Sequence, residues 1–351
     1  MDTQGSREDD KMKLYGQLIC AVVLLAISNQ GMTAETIIRV HHFLSDSAPL
    51  HREFLLRWEQ AVEEGTTGRV DIEIYPGMSL GGTPADLYDQ AVDGVVDVVL
   101  TLPGYTPGRF KQAEVFELPF LMEDPVATSK ALWDLVDSDL QDGEFSQTKI
   151  LASWVHGPGV LHTLNPVTRL KDMQGMKIRA PTRLAGELLK ELGAEPVNMP
   201  LPSIPQKIVS GEITGTLIPW EVTPSIKLGE LVSHHLEIDE KRAMYTAVFI
   251  LAMNKSTYET LPADARAVIK EVSGKTLSAF AGEVMSGADA YGRDSNANNS
   301  IHILQGKEVK RWVLSAQPLY NRWFRYAELS GFDGSSTLAK ARELIQLNRL
   351  R

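Results

Sequence analysis

Cysteine is nearly absent from this chain of 351 residues. The single one, Cys20, lies in an apolar run near the N-terminus, so no disulfide can form within the chain and the core must hold without covalent staples. Positive charge is in the minority. Thirty-five Lys and Arg against 45 Asp and Glu give a net charge of −10, which argues against nucleic acid or an anionic membrane as the main partner. After the first apolar run no segment reaches 18 apolar residues, so no later helix is expected to cross a bilayer. Catalytic and cofactor motifs are equally sparse. HExxH is missing, and the pairs His41-His42 and His234-His235 would point to opposite faces of a strand, so neither pair chelates a metal by itself. Gly157-Pro158-Gly159 opens no helix, and its proline removes an amide that a phosphate would want. Gly77-Met78-Ser79-Leu80-Gly81 spells a hydrolase elbow by letters, but no strand-to-helix turn is expected at Ser79. We therefore expect no metal, no cofactor and no enzymatic activity. The rival reading, an exported isomerase or hydrolase, would need Glu221 or His156 as its general base.

What is present is an ordinary soluble composition, 43% hydrophobic and 23% charged, with a length that suggests two domains. Lys11 and Lys13 precede an apolar stretch at 18–27, and 29–34 is small and polar. That layout is a secretory signal peptide, expected over residues 1–34 with translation starting at Met12 and cleavage after Ala34. The mature chain is then exported.

Beyond it, strand and helix patterns alternate, which is the α/β signature. Strands are expected at 37–43, 70–75, 97–102, 149–156, 176–180, 196–199, 214–218, 236–238 and 247–254. Helices are expected at 49–65, 83–92, 125–136, 182–192, 203–210, 262–285 and 307–327, with a polar loop and terminal helix over the last 20 or so residues. Residues 172–200 organise the rest. Residues 176–180 alternate as a strand does, Pro181 ends it, and Thr182 caps a helix whose Leu184, Leu188, Leu189 and Leu192 share one face. Gly193 ends that helix, and a second strand follows, completing a parallel βαβ unit.

Arg179 falls at the carboxyl end of the first strand, where open α/β sheets bind ligands. A guanidinium matches a carboxylate with two parallel hydrogen bonds. The alternative is a solvated surface arginine. Phe43, Tyr105, Trp154 and Trp220 also fall at or just past strand ends, with His156 and Glu221 beside them. Together they suggest a pocket with apolar walls and one anionic anchor, although core packing would account for each aromatic singly.

These residues lie among motifs that resemble a family. The run from Lys171 through Asp172, Gly175 and Arg179 to Pro181 (KDMQGMKIRAP) resembles the signature of the DctP-type solute-binding proteins of TRAP transporters. Leu192-Gly193-Ala194-Glu195-Pro196-Val197 follows at the family's distance. Ser210-Gly211-Glu212-Ile213-Thr214-Gly215 resembles its SGVVDG turn, and Glu117-Leu118-Pro119-Phe120-Leu121 its LPFL crossover. The resemblance implies a two-lobed periplasmic-binding-protein-like α/β fold, each lobe a mixed, mostly parallel sheet flanked by helices, with a long helix spanning both. It implies chain crossings near His156, Tyr245 and the middle of that helix. Lobe I would then comprise 35–156 and 245–284, lobe II 157–244 and 285–330, with 331–351 a C-terminal appendage. It further implies capture of an organic acid by hinge closure, with Arg179 on the carboxylate, and delivery to the small and large membrane subunits of a permease.

Two departures narrow the ligand. Ile218 stands where many members carry a ligand-contacting asparagine, and Gly159 stands where sialic-acid binders have a second arginine. A monocarboxylate is expected, aromatic or hydroxylated, meeting Trp154, Trp220 and Phe43. A sugar acid or amino-acid-like ligand remains open through Glu221 and His156, as does a role as a ligand-presenting sensor. The protein is expected to act as a monomer in the periplasm.

Overall fold

The computed structural model describes residues 35–239 and 241–350. The expected signal peptide, with Cys20, lies outside them. Among the described residues, eleven strands form two mixed sheets. The first has the order β2-β1-β3-β10-β4, built from β1 (Thr36–His42), β2 (Val70–Tyr75), β3 (Val98–Thr101), β4 (Thr148–Val155) and β10 (Val248–Asn254). The second has the order β11-β9-β5-β8-β6-β7, from β5 (Val160–Thr163), β6 (Lys177–Ala180), β7 (Glu195–Asn198), β8 (Gly215–Ile218), β9 (His234–Ile238) and β11 (Ser300–Leu304). Helices flank both sheets, and among the described residues none is long and apolar enough to cross a membrane.

Residue pattern explains the layering. Every residue of β10 is buried, as a central strand covered on both faces requires, and its sequence is accordingly continuous in apolar residues. It runs antiparallel to β3 and β4, with Val248 opposite Val155 and Ile250 opposite Thr101. Its beginning therefore lies where those strands end. In the second sheet β6 is parallel to both neighbours, β7 and β8, and β5 enters opposite the end of β8, Val160 facing Ile218. The carboxyl ends of β1, β3 and β4 and those of β6 and β8 thus converge on one space between the sheets.

The long helix Lys275–Ser295 ties the two halves. Ser278 near its start accepts a hydrogen bond from the Ser153 amide of β4 at 3.0 Å. Further along, a Cβ on Gly292 would come within 2.0 Å of the Trp220 carbonyl oxygen, so only glycine lets the helix lie against the turn after β8.

Several boundaries differ from the sequence pattern. The helix expected at 262–285 is broken into Ala263–Glu271 and the long helix, because Gly274 takes φ +82° and donates its amide to the Leu151 carbonyl. The helix expected from Thr83 begins at Leu87; Thr83 instead donates its amide and hydroxyl to Asp86, closing a turn before the helix. The first turns of the expected 49–65 helix form a π-helix at Leu50–Leu55, followed by the α-helix Leu56–Gly65. β5 and β11 were not anticipated. Each is short, and their side chains lack the strict alternation that marks a strand.

Candidate ligand-binding site

A small, tightly lined cavity lies where the strand ends meet. Both sheets contribute to it. From the first come Phe43 after β1, Leu102 and Tyr105 after β3, His156 after β4, and Tyr245, Ala247 and Phe249 around the start of β10. From the second come Arg179 and Pro181 of the β6 end, Leu201 after β7, and Ile218, Pro219 and Glu221 after β8.

Arg179 is 2% exposed, which rules out a solvated surface arginine. Its position between β7 and β8 fixes its head group. Nε donates to the Met199 carbonyl at 2.9 Å and Nη1 to the Leu217 carbonyl at 3.1 Å, each from the end of a flanking strand. The guanidinium also hydrogen-bonds the Tyr105 hydroxyl. Burial pulls its pKa below the ordinary guanidinium value, and the side chains that act against this are the phenols Tyr105 and Tyr245; no carboxylate is among them. An arginine stays protonated under such conditions. The site therefore holds a buried cation with its forked donors braced and no anion of the protein beside it.

His156 is locked. Its Nδ1 lies 2.6 Å from the Gly157 carbonyl oxygen, which can only accept, so Nδ1 carries the proton. Nε2 accepts the Ala247 amide at 3.0 Å. Burial, with the Arg179 charge adding to it, holds the ring neutral, its pKa lowered to about 4. Both nitrogens are spent, so His156 offers a ligand its ring and no hydrogen bond. It pins two chain crossings instead: the Thr246 hydroxyl donates to the His156 carbonyl at 2.8 Å, and Gly159 donates its amide to the Tyr245 carbonyl at 3.0 Å.

Glu221 is 5% exposed. Burial raises its pKa well above the usual carboxylate value, and the neighbouring Asp289 charge pushes the same way. Asp289, on the long helix, is itself raised to about 7 by burial, while its Oδ1 accepts the Glu221 amide at 2.9 Å.

Of the seven side chains expected at the ligand, the structure brings Phe43, Tyr105, His156, Arg179 and Glu221 to one cavity and leaves two outside its lining. Trp154 is fully buried beside the first sheet, stacked on Phe249 (centroids 5.7 Å apart) and tilted against Phe54 (4.9 Å). It backs the cavity wall through Phe249, its cross-strand partner. Trp220 packs edge-on against His162 and tilted on His235, both at 4.8 Å, and donates its indole N–H to Glu237 at 2.8 Å. The reason is local geometry. Pro219 is extended and Trp220–Val222 is a 3-10 turn, so Glu221 and Trp220 face different surroundings. Conversely, Tyr245 and Phe249 line the cavity but were not expected to. The resemblance places Tyr245 only near a chain crossing, and nothing local in the sequence marks the ring that packs over Gly159.

Comparison with known proteins places the chain. The model of the DctP family, described as bacterial extracellular solute-binding protein family 7, matches residues 40–326. The chain belongs to that family. A TRAP solute-binding protein from Rhodoferax ferrireducens, solved with copurified benzoate, is 41% identical with a TM-score of 0.87, over 90% of this chain and 98% of that one. A marine-metagenome TRAP solute-binding protein, described as specific for aromatic acid ligands and solved with 3-hydroxybenzoate, is 37% identical with a TM-score of 0.88, over 90% and 99%. The C4-dicarboxylate-binding periplasmic protein DctP of Rhodobacter capsulatus is 24% identical over 93% of this chain and 96% of its own. This is a TRAP solute-binding protein, and its family consists of solute receptors.

Proposed function

We infer that this solute-binding protein captures an aromatic monocarboxylate in the periplasm and hands it to the membrane subunits of a TRAP permease. The observation that carries the reading is Arg179: a buried, braced cation with no carboxylate of its own, at the wall of an otherwise largely apolar cavity. Such a cation is costly until an anion meets it. Phe43, Tyr105 and Phe249 offer aromatic surface, and related proteins at 41% and 37% identity hold benzoate and 3-hydroxybenzoate. A dicarboxylate suits the cavity poorly, because its one guanidinium is accompanied by the acid Glu221.

Capture works by closure of one lobe (35–156 and 245–284) on the other (157–244 and 285–330), since the ligand touches both and so favours the closed state. Closure removes water from Arg179 and strengthens its pairing with the carboxylate. Both cavity walls come from one chain, which supports action as a monomer.

The test is thermal unfolding and calorimetric titration of the mature protein with benzoate, 3-hydroxybenzoate and succinate. Either aromatic acid at 100 times its dissociation constant should add about 2.7 kcal/mol to stability. Binding of succinate without binding of either aromatic acid would overturn the reading.

A further inference from the structure

The cavity has polar groups besides Arg179, and most are already engaged. Tyr105 accepts the Leu201 amide at 3.2 Å and bonds Arg179, and both His156 nitrogens are bonded to backbone. Glu221 differs. It is the one carboxyl among the residues lining the cavity, and the charge acting on it is that of Asp289, with no cation opposing it.

Its placement is built rather than incidental. The turn that carries it is held from the long helix, where Asp289 accepts the amides of both Trp220 and Glu221. The Thr223 hydroxyl closes the same turn by donating to the Trp220 carbonyl at 2.8 Å, and Gly292 permits the helix to approach that carbonyl. A carboxyl kept protonated by burial and a like charge is both donor and acceptor, which is the complement of a hydroxyl group.

We propose that Glu221 is a specificity-determining residue, taking the ring hydroxyl of a hydroxylated aromatic acid whose carboxylate is held by Arg179. The assignment rests on the aromatic-acid reading above and narrows it to phenolic acids. An uncharged hydroxyl leaves the Glu221–Asp289 pair undisturbed, and a ring without a substituent would leave the buried carboxyl unpartnered.

Calorimetric titration of the mature protein with benzoate, the three monohydroxybenzoates and 3-(aminomethyl)benzoate tests it, in wild type, Glu221→Gln and Glu221→Leu. The expected result is that at least one hydroxybenzoate binds wild type about tenfold tighter than benzoate. Glu221→Gln, which keeps a donor and an acceptor, should preserve that ratio, and Glu221→Leu should bring it to within about twofold. The ratio is the readout because a general loss of folding or affinity lowers both ligands together. A ratio unchanged in Glu221→Leu would overturn the assignment, as would a wild type that binds benzoate and prefers no hydroxylated isomer. Tightest binding of the aminomethyl compound would overturn it in favour of a cationic substituent. If none of the aromatic acids binds, the aromatic-acid reading falls and this assignment with it.

Discussion

A Cβ placed on Gly159 would lie 1.9 Å from a ring carbon of Tyr245. The phenol thus fills the space that a side chain at 159 would need, and the second cationic clamp is excluded by packing as well as by sequence. Gly159→Ala is expected to force the ring out of place. Overpacking of this kind costs about 1–3 kcal/mol. Thermal unfolding should show that loss, and calorimetry should show weaker benzoate binding, because Tyr245 lines the cavity. In a double-mutant cycle the cost of Gly159→Ala should largely vanish in a Tyr245→Ala background; a cost unchanged there would reject the steric account.

Arg179 is expected to trade stability for binding. Replacing it by methionine removes a buried charge that lacks an anion, so the ligand-free protein should unfold at the same temperature or higher, despite the lost bonds to Met199 and Leu217. Binding of an aromatic carboxylate should weaken by more than about 30-fold, consistent with roughly 2–5 kcal/mol for one partner of a buried pair. A variant that binds as wild type does would remove Arg179 from the site.

A contact remote from the cavity is expected to set how firmly the lobes close. Arg183, at the start of the helix that follows β6, reaches across to Glu114 of the first lobe with both Nε (3.1 Å) and Nη2, and its guanidinium stacks 4.1 Å from the Tyr326 ring. Glu114 is 7% exposed while Arg183 keeps part of its side chain in solvent, so this pair is partly buried. Glu114→Gln should weaken ligand binding by about tenfold through faster release, the order of 1–2 kcal/mol for a partly buried ion pair. Stopped-flow dissociation rates check it, with small-angle scattering to report an opened form. An unchanged release rate would mean the pair is ornamental to closure.

Glu117 should make stability depend on pH. Burial raises its pKa to about 7; Oε1 accepts the Val248 amide at 3.1 Å and Thr182 also bonds it. The folded state then holds a proton that the unfolded state releases near 4.5. Stability from this group is full below about 4.5 and falls as pH rises through 7, by up to about 3 kcal/mol. The buried histidines act oppositely, His156 and His235 being lowered to about 4, so their neutral forms cost stability as pH falls below 6.5. Glu117→Gln isolates the acid: the difference in unfolding free energy between variant and wild type should move in the variant's favour between pH 5 and pH 8. A difference independent of pH would show that Glu117 is ionised throughout.

Much of the fold could be read along the chain. The βαβ unit around Arg179 shows in its alternation, its proline stop and its threonine cap, and Thr182 does accept the Ala185 amide. Arg179 could be placed at the carboxyl end of a strand because that position follows from local pattern alone. Trp154 and Trp220 could not be placed in the same way. Each lies near a strand end, but apolar periodicity marks a residue as buried without saying which of two buried sides it faces. Tyr245 and Phe249 were hidden for another reason: they reach the cavity only because β10 runs against β3 and β4.

By itself, the sequence determined the class of fold, the reliance on a core without disulfides, and the presence of one guanidinium at a strand end. Those properties depend on residues within a turn or two of one another. The tertiary structure alone decided that the guanidinium is buried without an anion, that His156 ties together two crossings of the chain between the sheets, and that Glu221 rather than Trp220 meets the cavity. Each of these depends on which strand of one sheet ends opposite which strand of the other, and that register joins residues more than a hundred positions apart, as Ile250 pairs with Thr101.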